Sequence, residues 1–160
     1  MHETVIHVRW GELDPYGHVN HAAYLSYLEH ARIAALEHIG WGMGSLRDRG
    51  YQVVVTRADV RFRRPAAAAE QLVIDSWIEE LRPASSRWRQ TIRRGDKVIL
   101  EAEITAACTT ADGRPTRTPQ DFQQALKKLE RIVVQDSGLR DQHDDRAGTR
   151  PGSEGPLPDL

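Results

Sequence analysis

Apolar and polar residues alternate along the first segment of the chain, which is the spacing of a half-buried strand. The apolar positions are Ile6, Val8 and Trp10, with polar residues between them, and Gly11 ends the pattern. We therefore predict a strand over residues 4–10 that places these three side chains on one buried face.

The longest segment with helical spacing runs from about His21 to Ile39 and contains neither Gly nor Pro. Its apolar stripe consists of Tyr24, Leu28, Ala31 and Ala35, widened by Leu25, Leu36 and Ile39. Asn20 is a favourable N-cap, and Gly40 suits the left-handed residue that often closes a helix. The segment predicts a helix of about five turns.

Four more strands are predicted after a Gly-rich loop. The first alternates between a charged face and an apolar face formed by Val54, Thr56, Ala58, Val60 and Phe62, and it ends at Pro65. The others span about residues 72–81, 86–94 and 97–110, and Gly95 permits a tight hairpin between the last two. These four strands can pair as successive antiparallel neighbours.

The order of one strand, one long helix and four strands predicts an α+β domain rather than a doubly wound fold. A final helix is predicted to begin near Thr118–Pro119, with apolar positions at Ala125, Leu126, Leu129 and Val133. From Asp136 onward large apolar residues are almost absent, so burial cannot offset the loss of chain entropy. We predict one domain over residues 1–135 and a disordered tail over residues 136–160.

Composition excludes several classes of function. The chain has 160 residues and a net charge of -1, so it lacks the overall positive field that nucleic-acid binding favours. The only cysteine, Cys108, cannot form an internal disulfide, and the first residues do not read as a secretory signal. No apolar run approaches the roughly 18 residues that span a bilayer. We expect a cytoplasmic protein without a membrane span.

The segment from Arg9 to Tyr24 carries the candidate chemistry. Asp14 stands in a turn-rich link before the long helix, and Gly17 lets this link fold back over the helix start. A helix N-terminus presents free N–H groups and the positive end of the helix dipole, which suit a developing oxyanion. With a carbonyl held near the N–H of His21, Asp14 can act as a nucleophile or as a base for water. Hydrolysis of a thioester fits this arrangement.

Residues 13–32 match the pattern D-x-x-G-H-V-N-x-x-x-Y-x-x-Y-x-E-x-A-R closely. This segment resembles the signature of hotdog-fold acyl-CoA thioesterases of the 4-hydroxybenzoyl-CoA thioesterase type, and weaker resemblance extends over about residues 4–130. The helix start also resembles that of plant acyl-carrier-protein thioesterases. The acyl carrier and the acyl chain therefore both remain open.

The resemblance implies a hotdog fold, in which a five-stranded antiparallel sheet wraps around one long central helix. It implies a homodimer or homotetramer with active sites between subunits, and neither a metal nor a redox cofactor. Asp14 takes the place of the catalytic carboxylate, and the N–H of His21 that of the group polarising the thioester carbonyl. Coenzyme A would lie against basic side chains, for which Arg63 and Arg64 are the best candidates because they stand at a strand end.

Other residues of the motif have two interpretations each. His18 is either a residue that orients Asp14 or a water, or a packed histidine. Asn20 is a substrate-binding candidate, but its chief expected role is that of a helix cap. Tyr24 is either a packing residue or a wall of the acyl pocket. Glu29 is a reserve candidate for the catalytic carboxylate.

Three alternatives to a thioesterase site deserve testing. A metal site at Asp14, His18 and His21 is disfavoured because these residues lack a fixed ligand geometry and no cysteine joins them. A hotdog hydratase would add water to an enoyl thioester without releasing a thiol. A non-catalytic acyl-thioester binding protein would bind the same ligand without turnover.

Overall fold

A computed structural model of the protein describes residues 1–132. Within this range the strands are β1 His2–His7, β2 Tyr51–Phe62, β3 Gln71–Arg82, β4 Ser85–Arg94 and β5 Lys97–Thr110. The helices are α1 His21–His38, α2 Met43–Asp48 and α3 Gln120–Lys127, and a short 3-10 turn covers Trp10–Glu12. Val133 and the predicted tail over residues 136–160 lie outside the described residues.

The five strands form one antiparallel sheet in the order β1-β3-β4-β5-β2. The successive pairing of β3, β4 and β5 confirms the prediction, whereas the expectation that β2 would lie beside β3 is wrong. Residues 63–70 form a long connection rather than a tight hairpin, so nothing local holds β2 against β3. Instead β2 pairs with β5 and forms one edge of the sheet, and β1 forms the other.

Helix α1 lies across the inner face of the sheet and buries one stripe of side chains. Its buried residues are Tyr24, Tyr27, Leu28, Ala31, Ala35 and Leu36. They join a core with the alternating inward residues of the central strands, among them Ile74, Trp88 and Ile104. The predicted helix is thus confirmed, and so is its stripe of Tyr24, Leu28, Ala31 and Ala35, but Leu25 was wrongly included because it is 47% exposed. Gly40 has the expected left-handed conformation, with φ of 80°.

The first strand is shorter than predicted, and one of its expected core residues is on the surface. β1 ends at His7, Val8 is still buried, and Trp10 is 85% exposed in the 3-10 turn. The alternation that predicted a buried Trp10 therefore ends before that residue. The change of direction here brings Glu12 and the following loop over the start of α1.

A bulge in β2 corrects the predicted face of this strand. The pairing with β5 shifts between Val55 and Arg57, so Val54 is paired with Ala107 and Val55 with the inward-facing Ala106. Because directly paired residues share a face of the sheet, Val55 faces inward and Val54 faces outward beside the charged positions. The predicted alternation from Val54 to Phe62 is therefore wrong before the bulge, where Val54 faces outward.

The Gly-rich loop contains helix α2, which the sequence pattern did not predict. Its one buried residue is Leu46, and the adjacent Trp41 stacks on Phe122 of α3, with 4.5 Å between the ring centroids. Among residues 1–132, no helix has the length and apolar character needed to cross a bilayer.

Candidate active site

The loop that carries Asp14 closes on itself through main-chain hydrogen bonds. The N–H of Asp14 donates to the carbonyl of His18 at 2.7 Å, and the N–H of Gly17 donates to the carbonyl of Asp14 at 3.0 Å. Gly17 has a φ of 79°, a conformation that few other residues adopt readily. A bridge between Leu13 and Val19 holds the two ends of the loop together.

One oxygen of the Asp14 carboxylate is fixed by this loop, and the other is free. Oδ1 accepts the N–H of Tyr16 at 2.9 Å and the N–H of His18 at 3.1 Å. In the part of the chain that the structure describes, Oδ2 has no hydrogen-bond partner. The carboxylate therefore has a set orientation and one oxygen available for chemistry.

The start of α1 also leaves one group free. The side-chain oxygen of Asn20 accepts the N–H of Ala22 at 2.9 Å, and its main-chain oxygen accepts the N–H of Ala23 at 2.9 Å. No acceptor within residues 1–132 receives the N–H of His21. The predicted N-cap is confirmed, and the uncapped N–H is the one that the sequence assigned to the oxyanion.

An open pocket of about 330 Å³ lies at this end of the helix. Its lining residues are Asp14, His18, Val19, His21, Tyr24, Phe62, Arg63, Arg64 and Pro65. The fold thus brings together six of the seven site residues that the sequence predicted, from a loop, a helix start and a strand end. Asn20 does not line the pocket, and its side chain is occupied as the cap.

Tyr24 forms a buried wall of the pocket and also contacts the end of β2 and the connection that follows it. Its ring lies 5.7 Å from that of Phe62, and its hydroxyl accepts the N–H of Ala66 at 3.2 Å. Burial raises the pKa of the Tyr24 phenol, while the hydrogen bond from Ala66 acts in the opposite direction. Tyr24 is accordingly a neutral, oriented wall and not an acid or base near neutral pH.

Comparison with known proteins decides the family. A model of the thioesterase-like superfamily matches residues 8–126, which include the Asp14 loop, α1 and every strand after it. The chain belongs to this superfamily. The predicted resemblance is confirmed, and so is the hotdog arrangement of a five-stranded antiparallel sheet around α1.

Three similar proteins illustrate this membership. The chain is 34% identical over 111 residues to the long-chain acyl-CoA thioesterase FadM of Escherichia coli strain K12, covering 66% of this chain and 81% of FadM. It is 29% identical to the chloroplastic acyl-acyl carrier protein thioesterase ATL2 of Arabidopsis thaliana, covering 74% of this chain and 64% of ATL2. A probable thioesterase from Bartonella henselae superposes with a TM-score of 0.71 at 28% identity, covering 74% of this chain and 98% of that one.

The two arginines of this thioesterase-like protein stand at the mouth of the pocket, but each already has a partner. The Arg63 guanidinium pairs with the Glu101 carboxylate at 2.7 Å, and Nη1 of Arg64 donates to the carbonyl of Val98 at 2.8 Å. Both arginines are exposed. An incoming phosphate would therefore compete with Glu101 for Arg63 at a solvated position, where such pairs are weak.

His18 contacts Asp14 through its main chain rather than through its ring. The residue is exposed and forms a main-chain bridge with Ala67, so the packed-histidine interpretation does not hold. Glu29, the reserve carboxylate, is exposed on α1 and does not line the pocket. Among the described residues no group of three or more His, Cys, Asp or Glu side chains could hold a metal ion.

Three further residues line the pocket that the sequence did not predict as site residues, namely Val19, Phe62 and Pro65. The sequence pattern places Phe62 on the apolar face of a strand, and it does pair there with the buried Leu100, but its side chain is 54% exposed. An apolar residue directly before the Arg63–Arg64–Pro65 strand end was the available signal.

A larger depression of about 670 Å³ lies on the outer face of the sheet, away from α1. Of its charged lining residues, Arg89 pairs with Glu79 at 3.1 Å, Glu101 pairs with Arg63 at 2.7 Å, and the Arg131 guanidinium lies over the ring of Trp77. It contains no helix start, and its polar surface is that of a solvated sheet face. The smaller pocket beside Asp14, by contrast, combines a helix start with a carboxylate that has one free oxygen.

Proposed function

We propose that this protein hydrolyses acyl-CoA thioesters in the pocket beside α1, with Asp14 as the catalytic carboxylate. The observation that carries the proposal is the free Oδ2 of Asp14 in the same pocket as the free N–H of His21. One group can attack the carbonyl carbon while the other receives the charge that develops on the carbonyl oxygen. Superfamily membership and the named activities of relatives such as FadM support this reaction.

The helix start supplies the electrostatic part of the reaction. The N–H of His21 is held rigidly by the capped first turn, so it needs no rearrangement when the oxyanion forms. One preorganised donor of this kind contributes about 3 kcal/mol to the transition state. The helix dipole adds a favourable field in the first turn, where the acidic residues that would oppose an anion are absent.

Two routes use the same placement of Asp14. In the first, Oδ2 forms a bond to the thioester carbon, the coenzyme A thiolate leaves, and water hydrolyses the resulting anhydride. In the second, Oδ2 takes a proton from water, whose oxygen attacks the carbon while the thiolate leaves and is then protonated. A single turnover in ¹⁸O-water labels Asp14 only in the first route, when water attacks the Asp14 carbonyl of the anhydride. Trapping the acyl-enzyme detects the first route when water attacks the acyl carbonyl instead.

Coenzyme A is the proposed acyl carrier because Arg63 and Arg64 stand at the mouth of the pocket, where they can meet phosphate groups. Acyl-carrier protein is the competing carrier, and ATL2 is named for that activity. Offering the same acyl chain on the two carriers separates them. A preference for coenzyme A that disappears in Arg63→Ala would support the proposed contact.

We also propose that two copies associate through the open edge of β2. This strand is 12 residues long, pairs on one side only with β5, and exposes Val54, Val55 and Phe62. A long apolar edge strand is a template for pairing with another chain. Such a homodimer, or a tetramer of two dimers, would cover the side of the pocket where Phe62 lies. A cytoplasmic location stays a prediction that cell fractionation can test.

The deciding experiment measures thiol release from a panel of acyl-CoA substrates with short, long and aromatic chains. Saturable release is expected, and Asp14→Asn should lower kcat by at least about 10²-fold. Asparagine keeps an oxygen for the N–H groups of Tyr16 and His18, so the loop should retain its shape. Loss of enoyl absorbance without thiol release would instead show a hydratase, and binding without turnover a non-catalytic protein.

Asp96→Asn is the matched control, since Asp96 is exposed in the hairpin between β4 and β5 and lies outside the pocket. Its turnover should equal that of the wild type. Unchanged turnover in Asp14→Asn would mean that Asp14 is not the catalytic carboxylate.

A further inference from the structure

Glu12 binds three groups around the Asp14 loop. Oε2 of its carboxylate accepts the N–H of Arg9 at 2.9 Å and the phenol O–H of Tyr27. Its main-chain oxygen accepts the N–H of Asn20 at 2.8 Å. One residue therefore joins the chain before the loop, the chain after it and the body of α1.

Tyr27 is a rigid anchor for this contact. It is 4% exposed on α1, and its ring meets that of Tyr24 edge to face with 6.0 Å between centroids. Burial, and then the hydrogen bond to Glu12, raises the pKa of the Tyr27 phenol. The phenol thus keeps its proton and remains a donor to Glu12 near neutral pH.

The loop's own contacts do not fix its position on the helix. The bonds between Asp14 and His18 and the bridge between Leu13 and Val19 lie within the loop, so they preserve its shape only. The side-chain contact between Glu12 and Tyr27 joins the loop to α1 one turn beyond the pocket residue Tyr24. On the other flank, the N–H of Val19 donates to the carbonyl of Ala66 at 2.8 Å.

We propose that Glu12 and Tyr27 are positioning residues that hold Asp14 at a fixed distance from the free N–H of His21. Neither residue lines the Asp14 pocket, so both act through the loop and not on the substrate. This inference rests on the proposed catalytic role of Asp14. Its physical basis is that a carboxylate and an oxyanion donor must meet the same carbonyl group, which tolerates little displacement of either.

Tyr27→Phe is the first test, because it removes only the hydroxyl. A shift of the loop should lower kcat by about 10- to 100-fold with little change in KM, since the pocket residues that hold the substrate remain. Tyr51→Phe is the control, as Tyr51 lies on β2, and its hydroxyl has no hydrogen-bond partner within residues 1–132. A kcat for Tyr27→Phe equal to that of this control would overturn the proposal.

Variants at Glu12 test the same contact from the other side. Glu12→Gln keeps an oxygen acceptor for Tyr27 and should restore most of the kcat that Glu12→Ala loses. If the two residues act as one unit, the variant combining Tyr27→Phe with Glu12→Ala loses no more than the worse single variant. Losses that multiply, or an inactive Glu12→Gln with an unaffected Tyr27→Phe, would contradict a shared role.

Hydrogen exchange separates this inference from the proposed function. In Tyr27→Phe the Asn20 and Val19 amides, which tie the loop to its surroundings, should exchange faster, while the amides of the β3–β4 hairpin keep their protection. This readout does not depend on turnover. If Asp14→Asn leaves activity intact, the proposed function fails. If Asp14→Asn abolishes activity but Tyr27→Phe alters neither kcat nor exchange, only the positioning role fails.

Discussion

At the scale of single residues, the site depends on which polar groups are used by the fold and which remain free. Asp14 uses one carboxylate oxygen to close its loop and keeps the other. Asn20 caps the N–H of Ala22, and the N–H of His21 stays available next to it. At this helix start the capped N–H of Ala22 therefore contributes to stability, and the free N–H of His21 is available for the proposed chemistry.

Substitutions of Asn20 should separate these two uses. Asn20→Ala removes the cap and should lower the free energy of unfolding by about 1 kcal/mol. Asn20→Asp keeps the cap and suits the helix dipole, so stability should be maintained, but its charge would repel a developing oxyanion and lower kcat. Urea unfolding and thiol-release kinetics on both variants measure this. Full activity in Asn20→Asp would argue against an oxyanion beside the first turn.

At the scale of elements, a polar cluster inside the core joins α1 to the sheet. Gln90 of β4 is 1% exposed and donates to the carbonyl of Leu28 at 3.0 Å and to the hydroxyl of Ser76 at 2.9 Å. Arg32 of α1 donates to the Gln90 side-chain oxygen at 2.8 Å. Arg32 therefore points toward the sheet, where burial lowers its pKa despite the opposing effect of Glu29.

Replacing Gln90 should show how much this cluster contributes. Gln90→Leu has a similar volume but leaves Arg32, Ser76 and the Leu28 carbonyl without their partner. We expect the free energy of unfolding to fall by about 1–3 kcal/mol. The control is Gln71→Leu on the exposed side of β3, which should change it by no more than about 0.5 kcal/mol. Equal effects in urea unfolding would mean that the cluster adds nothing beyond strand propensity.

At the scale of the whole molecule, the unpaired edge of β2 leaves apolar side chains exposed in the isolated chain. The bulge at Val55 turns apolar side chains to both faces of this strand, and Phe62 opens toward the pocket. A second copy on this edge would cover apolar surface and enclose the pocket at the same time. Assembly and substrate binding are therefore expected to depend on one another.

A charge on this edge should prevent association. The wild type should have a solution mass that is a multiple of the 18.1 kDa chain, and Val55→Lys should shift it toward the monomer. Val5→Lys places the same substitution on β1 at the opposite edge, where Val5 is 47% exposed, and should leave the mass unchanged. Sedimentation measures both variants. Dissociation by Val5→Lys alone would assign the interface to β1 instead.

The sequence by itself determined the features that depend on neighbours along the chain. The period of α1, its cap at Asn20 and the hairpin at Gly95 all follow from residues a few positions apart, and each was predicted correctly. The motif around Asp14 likewise placed the candidate site at the loop and helix start, whose residues the structure brings to one pocket.

Only the tertiary structure decided the features that depend on distant contacts. Pairing across the sheet decides whether β2 lies beside β3 or β5. It also decides that Val55, and not Val54, faces inward before the bulge. The same pairing brings Phe62 to the Asp14 pocket, and the turn after β1 exposes Trp10 despite its alternating pattern. Periodicity in the sequence shows which side chains share a face of a helix or strand. Packing between segments far apart in the chain determines which element that face contacts.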